Sequence, residues 1–408
     1  MAHGTMGEIP RAGGLPKPLH LACFALCVAN GTYLLKTLFT GAWIIDPAGN
    51  GVETDFVSFW AAGRLALDAT PAAAYDWALH KAAENAALGY DFTGYYSWQY
   101  PPAALFVAVL LALVPYAASF AAWSVATFAL YAAVVRRLVG HPSGWLVAGA
   151  CSTAAANLQV GQNGFITAAL IGDTFSLMQR HPALAGCCLG VLTYKPHFGL
   201  LFPLVLIASG RWTVFWSAAA TALVISFASW LAFGSETWAA FFHWLPIGSQ
   251  TFLSEGRIEF SKLQSVFGLV RMAGGGAQLA FAAQGVVALA LLIGCCILWR
   301  RRVAFELQAA TLATSIVLAT PYVFMYDLVV LAVPLALFIR MGIATGFRPI
   351  EMLGLGLVGA LLFSCLIVQA PVGLAASVVT LLLIVGRLLP RRAGALNLSP
   401  PAGAVRPT

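Results

Sequence analysis

Lys195 stands in the string GVLTYKPHFGLLFPL, inside an apolar run long enough to enter a bilayer. A charge at that depth costs roughly 2.5–3.5 kcal/mol or more. The ammonium therefore needs a cavity, a ligand or a counter-ion. Facing a water-filled cavity, it suits an anionic headgroup such as phosphate. The alternative is an internal ion pair, with Asp173 as a candidate partner. Lys195 is expected about mid-helix, where Pro196 would kink the chain, and His197 follows directly. A second candidate lies in GVETDFVSFWAAGRLAL, just after the apolar run Leu21–Ile45. Asp55 there is either a solvated loop carboxylate or a chemical group held at the membrane surface. Glu53, two residues earlier, is open to the roles of metal ligand, neighbour of Asp55 or solvated carboxylate.

Three more polar clusters accompany these. NLQVGQNGFITAALIGD gathers Asn157, Gln159, Gln162 and Asn163 at a helix break flanked by Gly161 and Gly164. It is either a polar turn or a cavity lining, because irregular backbone at membrane depth needs water or protein partners. LATPYVFMYDLVVLAVP collects Tyr322, Tyr326 and Asp327 after Pro321. An interfacial aromatic belt with an N-cap aspartate explains it equally well. SQTFLSEGRIEFSKLQSVFGLVR mixes Gln250, Glu255, Arg257, Glu259, Lys262 and Gln264 with phenylalanines, as either a cover for a site or a solvated rim.

Other chemistries lack their motifs. HExxH, CxxC, GxSxG and Walker-type loops are missing, and no two histidines have metal-ligand spacing. The eight cysteines all fall in apolar runs and read as packing residues. No metal site and no obligatory cofactor is expected, although a divalent ion near Glu53 and Asp55 stays open.

The elements that position these residues must be membrane helices. The chain is 60% hydrophobic and 9% charged, against about 25% charged for soluble domains. The fold class is an all-α polytopic membrane protein. Expected spans are about 20–44, 100–115, 117–135, 143–158, 163–179, 183–208, 212–233, 276–299, 304–325, 327–341, 350–369 and 371–389, about twelve helices, of which 100–115, 143–158 and 327–341 are short for a full crossing and open to being tilted, broken or partly interfacial. They form one transmembrane domain over 20–393, between a cytoplasmic tail (1–19) and a disordered tail (394–408). Two long outer loops, 46–99 and 234–275, come with this path. Within the first, Phe56, Phe59, Trp60, Gly63 and Leu67 form the stripe of an interfacial helix, and a second helix runs from Pro71 to near Gly89. Loop Lys and Arg put the N-terminus in the cytoplasm. Arg136, Arg137 and Arg180 then fall on the outer side, against the trend.

Six strings in order resemble glycosyltransferase family 87, which uses polyprenol-phosphate sugars on a C-type membrane fold. They are DFVSFWAAGRLAL with AAYD, YPPAALFVAVLLALVP, GQNGFITAALI, GVLTYKPHFGLLFPLVLIASGRW, LQSVFGLVR and TPYVFMYDLVVLAVPLAL. Where members acting on phosphatidylinositol mannosides carry a Trp/His-rich motif, this chain reads YVFMYDL. The resemblance implies a mannosyltransferase-like hexosyltransferase of the bacterial inner membrane, with its active site facing the periplasm. It implies inverting transfer of mannose, or another hexose or pentose, from a polyprenyl-phosphate donor to a lipid or polysaccharide acceptor. Asp55 takes the position of the catalytic base, and Lys195, with Arg257, that of the donor-phosphate site. Glu53, Arg64, Gln162, Asn163, His197, Tyr322 and Tyr326 are candidates for substrate contact. The implied partners are the lipid-linked sugar, the acceptor and membrane lipids, with no nucleic acid. A transporter or flippase of a lipid-linked saccharide is the alternative, but the interrupted-helix repeats common in transporters are missing.

Overall fold

The computed structural model describes residues 14–256 and 259–389. Arg257, most of the expected N-terminal tail and all of the expected C-terminal tail lie outside them. Among the described residues helices are the regular secondary structure, with two isolated β-bridges at Trp43–Ile45 and Ile45–Gly51. α1 (Lys17–Phe39) enters the bundle; α2 (Phe56–Leu67), a 3-10 turn (Pro71–Ala74) and α3 (Trp77–Leu88) fill the first outer loop. The short α4 (Leu105–Ala112) precedes the long α5 (Tyr116–Val139). Next come α6 (Gly144–Ala150), α7 (Ser152–Val160), α8 (Gly164–Leu177), α9 (Pro182–Val191) and α10 (Phe202–Ala208). The remainder is α11 (Trp212–Ser249), α12 (Val266–Met272), α13 (Ala277–Arg300), α14 (Phe305–Ala319), α15 (Ala332–Thr345), α16 (Pro349–Ser364) and α17 (Val372–Gly386). Five helical stretches are long and apolar enough to cross a bilayer alone: Lys17–Phe39, Tyr116–Val139, Trp212–Ser254, Ala277–Arg300 and Asp327–Thr345. The shorter helices are broken or run in pairs.

Two departures from the expected path offset each other. The stretch 100–115 is not a crossing: α4 has only eight residues and lies against α2. The contact is close because position 63 is glycine; a Cβ there would stand 1.9 Å from the Ala108 carbonyl oxygen. The stretch 183–208 is not one crossing but two short arms. The residue before a proline avoids helical backbone. Lys195 accordingly has φ −134° and ψ 68°, and sits between 3-10 turns at Leu192–Tyr194 and Pro196–Phe198 rather than mid-helix. α9 with its turn rises about 20 Å, short of the roughly 30 Å hydrocarbon core. α10 then returns to the end where α9 began.

With one crossing removed and one added, the short basic loops between crossings fall at a single end. Gly14 lies against the His141 imidazole and Gly140 against the Arg340 guanidinium. Arg137 pairs with Asp173 at 2.7 Å, so Asp173 is not the partner of Lys195. Arg340 faces Glu306 at 3.9 Å. Arg300 Nε donates to the Ala208 carbonyl at 3.1 Å, and Arg211 stacks 5.2 Å over Trp299 and Phe305. Arg387 forks onto Glu351 at 2.7 and 2.8 Å. Arg136, Arg137 and Arg180 share this end with Lys17, and the expectation that they lie opposite is corrected.

In the first outer loop, α2 packs closely against α3 and α4. Phe56 to Phe59 and Ala61 to Gly63 are all buried, and only Leu67 of the expected stripe is exposed. The helix expected from Pro71 divides, because Asp76 starts α3 afresh by accepting from the Ala78 and Leu79 amides at 3.0 Å. Gly89, at φ +82°, ends it. The second outer loop is partly helical. α11 continues past Gly234, whose φ of +79° breaks the helix at the expected end of the span.

Candidate active site

Asp55 occupies the N-cap position of α2, yet its carboxylate accepts no hydrogen bond from that helix's own amides. Asp76, in the same position on α3, spends its carboxylate on two. The Asp55 oxygens are thus free for other partners. Its neighbours are fixed. Phe56 stacks on Phe120 with centroids 4.8 Å apart, and Tyr116 OH donates to the Val52 carbonyl at 2.8 Å. Asp55 itself is half-buried, and the Gln162 side chain reaches its carboxylate. Burial pushes the carboxyl up to about 6; Asp327 adds to the rise, while Gln162, Lys195 and Lys262 oppose it.

The turn from α7 to α8 delivers Gln162. Gly161 ends α7 with φ +68° and packs directly on Phe56 and Phe120, where a Cβ would come within 2.6 Å. Asn157 staples the turn: its Nδ2 donates to the Gln162 carbonyl at 2.9 Å, and its Oδ1 accepts from the Gly164 amide at 3.0 Å. Gln162 Oε1 accepts from Tyr100 OH and the Asn163 amide, both at 3.1 Å. Its Nε2 is left to face Asp55. Of the two readings of this cluster, the lining of a site fits this geometry.

Asn163 Oδ1 accepts from Lys195 Nζ at 2.9 Å. The same ammonium donates to Asp327 Oδ1 at 2.5 Å, and Asp327 Oδ2 accepts from the Phe324 amide at 3.1 Å. Lys195 is 5% exposed and Asp327 1%, so this is a buried ion pair with all its charge matched. Asp327 is therefore not a helix cap in a solvated belt. Tyr194 OH bonds Thr167 Oγ1 at 2.6 Å and holds the turn that carries Lys195. Around the pair stand aromatic rings. Tyr326 lies 5.7 Å from Lys195 Nζ, Phe324 stacks on Tyr326 at 5.4 Å, Tyr322 meets Phe324 edge-on at 5.0 Å, and His197 approaches Tyr322 at 6.3 Å. His197 Nε2 is buried and has no hydrogen-bond partner among the described residues.

The candidate site thus assembles Asp55, Gln162, Asn163, Lys195, His197, Tyr322 and Tyr326 from the expected set, and adds Tyr100, Tyr194 and Asp327. Arg64 is not there. It points to the surface and pairs with Asp68 at 3.0 Å, one turn on. Glu53 is exposed; its charge acts on Lys81, Tyr90 and Tyr96. No group of three or more His, Cys, Asp or Glu with metal-holding geometry occurs among the described residues.

Behind α2 lies a second buried polar group. His80 Nε2 is 3.2 Å from Ser58 Oγ and 3.5 Å from Glu84 Oε1, which also accepts from the Tyr96 amide at 3.2 Å. Burial pushes the imidazole down to about 3 and the Glu84 carboxyl up to about 8. Both shifts favour the neutral forms at pH 7, and the hydrogen bonds of this group run from His80 to Ser58 and from the Tyr96 amide to Glu84. It ties α3 to the first turn of α2 and so to Asp55.

An all-helical membrane bundle with an uncapped carboxylate facing a buried lysine on a broken hairpin has the form of a polytopic membrane glycosyltransferase. The model of glycosyltransferase family 87 matches residues 98–321, more than half of the chain, and the protein belongs to that family. The match includes Tyr100, Gln162, Asn163, Lys195 and Lys262, while Asp55 and Asp327 lie outside it. No curated protein and no solved structure matches the chain.

Proposed function

We propose that this glycosyltransferase moves a sugar, mannose or another hexose or pentose, from a polyprenyl-phosphate donor to a hydroxyl of a lipid or glycan acceptor, with inversion. The observation that carries this reading is the Asp55 carboxylate: uncapped, half-buried and facing the Gln162–Asn163–Lys195 wall. A carboxyl at about 6 is mostly ionised at neutral pH and still basic enough to accept a proton as attack proceeds. The acceptor oxygen bonds the anomeric carbon and the bond to the phosphate oxygen breaks. The electron pair leaves with the phosphate, and the hydroxyl proton goes to Asp55. One carboxylate suffices for a single displacement.

Lys195, whose charge Asp327 already balances, serves the donor phosphate as an oriented hydrogen-bond donor. Tyr322, Tyr326 and His197 line the space beside it for sugar or lipid. The chemistry needs no metal. Orientation follows from the basic end of the bundle: Lys and Arg mark the cytoplasmic side, so the site faces the periplasm in a bacterial inner membrane.

The test is transfer from radiolabelled polyprenyl-phosphate mannose and related donors by the purified protein, beside Asp55→Asn. Turnover by the wild type and its collapse in the variant support the reading. A folded Asp55→Asn protein with full turnover overturns Asp55 as the base.

A further inference from the structure

Charge at the site does not balance once a donor is placed there. Lys195 gives two of its three N–H directions to Asp327 and Asn163, at 2.5 and 2.9 Å, and the Lys195–Asp327 pair is neutral overall. Asp55 adds a negative charge. A phosphodiester donor brings another, and its leaving phosphate gains one more as the glycosidic bond breaks. Developing charge of this kind needs a fixed cation that other groups have not already cancelled. Among the described residues, the loop that packs Leu263 and Phe260 with Tyr322 and Phe324 carries a second cation beside the site, Lys262, whose charge favours an ionised Asp55.

The fold holds Lys262 in place from behind. It closes the 3-10 turn Phe260–Lys262, and the next residues are pinned. The Gln264 amide donates to the Val323 carbonyl at 2.8 Å, and Gln264 Oε1 accepts from the Gly373 amide at 2.8 Å. Ser265 Oγ donates to the Pro321 carbonyl at 2.7 Å. Leu263 is fully buried between them. These bonds join the second outer loop to the segment that carries Tyr322, Tyr326 and Asp327. The Lys262 side chain itself is 54% exposed, and its ion pair is with exposed Glu259 at 3.3 Å. Such a surface pair is weak and yields readily to a stronger anion.

We propose that Lys262 is a catalytic residue for the transfer reaction described above, meeting the donor phosphate from the outer side and countering the charge that grows on the leaving group. The division of labour is then clear. Lys195 orients the phosphate from within the membrane, and Lys262 supplies the net positive charge from the loop. The proposal rests on the glycosyl-transfer reading, with the same bonds formed and broken.

The test compares wild type with Lys262→Gln, Lys262→Arg and Glu259→Gln, all full length in nanodiscs. Two quantities are read: kcat/KM for polyprenyl-phosphate mannose, and binding of polyprenyl phosphate alone by tryptophan fluorescence. Lys262→Gln should lower kcat/KM roughly 10- to 100-fold and weaken polyprenyl phosphate binding, with an unchanged thermal midpoint. Lys262→Arg should recover most of both, and Glu259→Gln should keep or raise them. Wild-type phosphate binding in Lys262→Gln overturns the proposal. So does a loss that arginine fails to rescue, or one accompanied by a lowered midpoint. If wild type binds polyprenyl phosphate but transfers no sugar from any lipid-phosphate donor, the transfer reading fails, and with it the catalytic role of Lys262, while the binding series separately decides the phosphate contact.

Discussion

Lys195 and Asp327, 132 positions apart in the chain, meet in a buried ion pair at 2.5 Å, one from the tip of a broken hairpin and the other from the start of a crossing helix. Removing one partner leaves the other charge buried and alone, at a cost of about 3–5 kcal/mol. Lys195→Met and Asp327→Asn should each destabilise the protein strongly, and the double variant should be more stable than either. Thermal unfolding of the four proteins in one detergent gives the cycle. Additive losses would mean that the two charges do not act as a pair.

Asp55→Asn should lower kcat by about 100- to 10,000-fold, the usual contribution of a general base. It should not harm the fold, because the carboxylate caps nothing. In the wild type, activity should rise with pH through about 6 as the base loses its proton. Stability runs the other way. The folded protein holds this proton more tightly than the unfolded chain, so the stabilisation present below about pH 4 is lost as pH rises through 6. Above pH 6, Asp55→Asn should therefore melt higher than wild type. A pH–rate profile and melts at pH 5 and 8 check both signs.

Glu84 gives a second pH prediction, separate from catalysis. With its carboxyl raised to about 8, it is protonated at neutral pH, and glutamine matches that form in shape. Glu84→Gln should retain activity at pH 7. Wild type should lose stability as pH climbs from about 4.5 through 8, and the variant should not. Equal melting curves at pH 9 would show that Glu84 does not titrate in this range.

Gly63→Ala tests the scaffold. The added methyl would meet the Ala108 carbonyl at 1.9 Å, so α2 and α4 must separate. Overpacking of this kind costs about 1–3 kcal/mol. Because Asp55 heads α2, turnover should fall along with the melting temperature. A normal melting temperature and rate would show that α2 can move without disturbing its first residue.

Much of this was legible in the sequence because membrane residence makes polar residues conspicuous. Lys195, Gln162 and Asn163 stand out against apolar runs, and the six ordered strings pointed to the family that the match over 98–321 shows. Two things were hidden. Hydropathy does not separate a crossing from a re-entrant arm, so 183–208 reads as one crossing and 100–115 is counted as a short one, although its length leaves a broken or interfacial piece open. The three stray arginines at 136, 137 and 180 were the visible trace of that error. Asp327 was hidden by its position beside an aromatic cluster, where a cap is the usual explanation. The signal was available. A base and an acid that each stand in an apolar run of one bundle are costly until they meet.

The α9–α10 hairpin starts and finishes at the basic end of the bundle and carries Lys195 at its tip. It is a cantilever about 20 Å long. Its load is the ammonium, and its far support is the pair of contacts to Asn163 and Asp327. A displacement at its base therefore reaches one wall of the candidate site without first passing through the outer loops, and the two ends of the bundle are mechanically joined at Lys195.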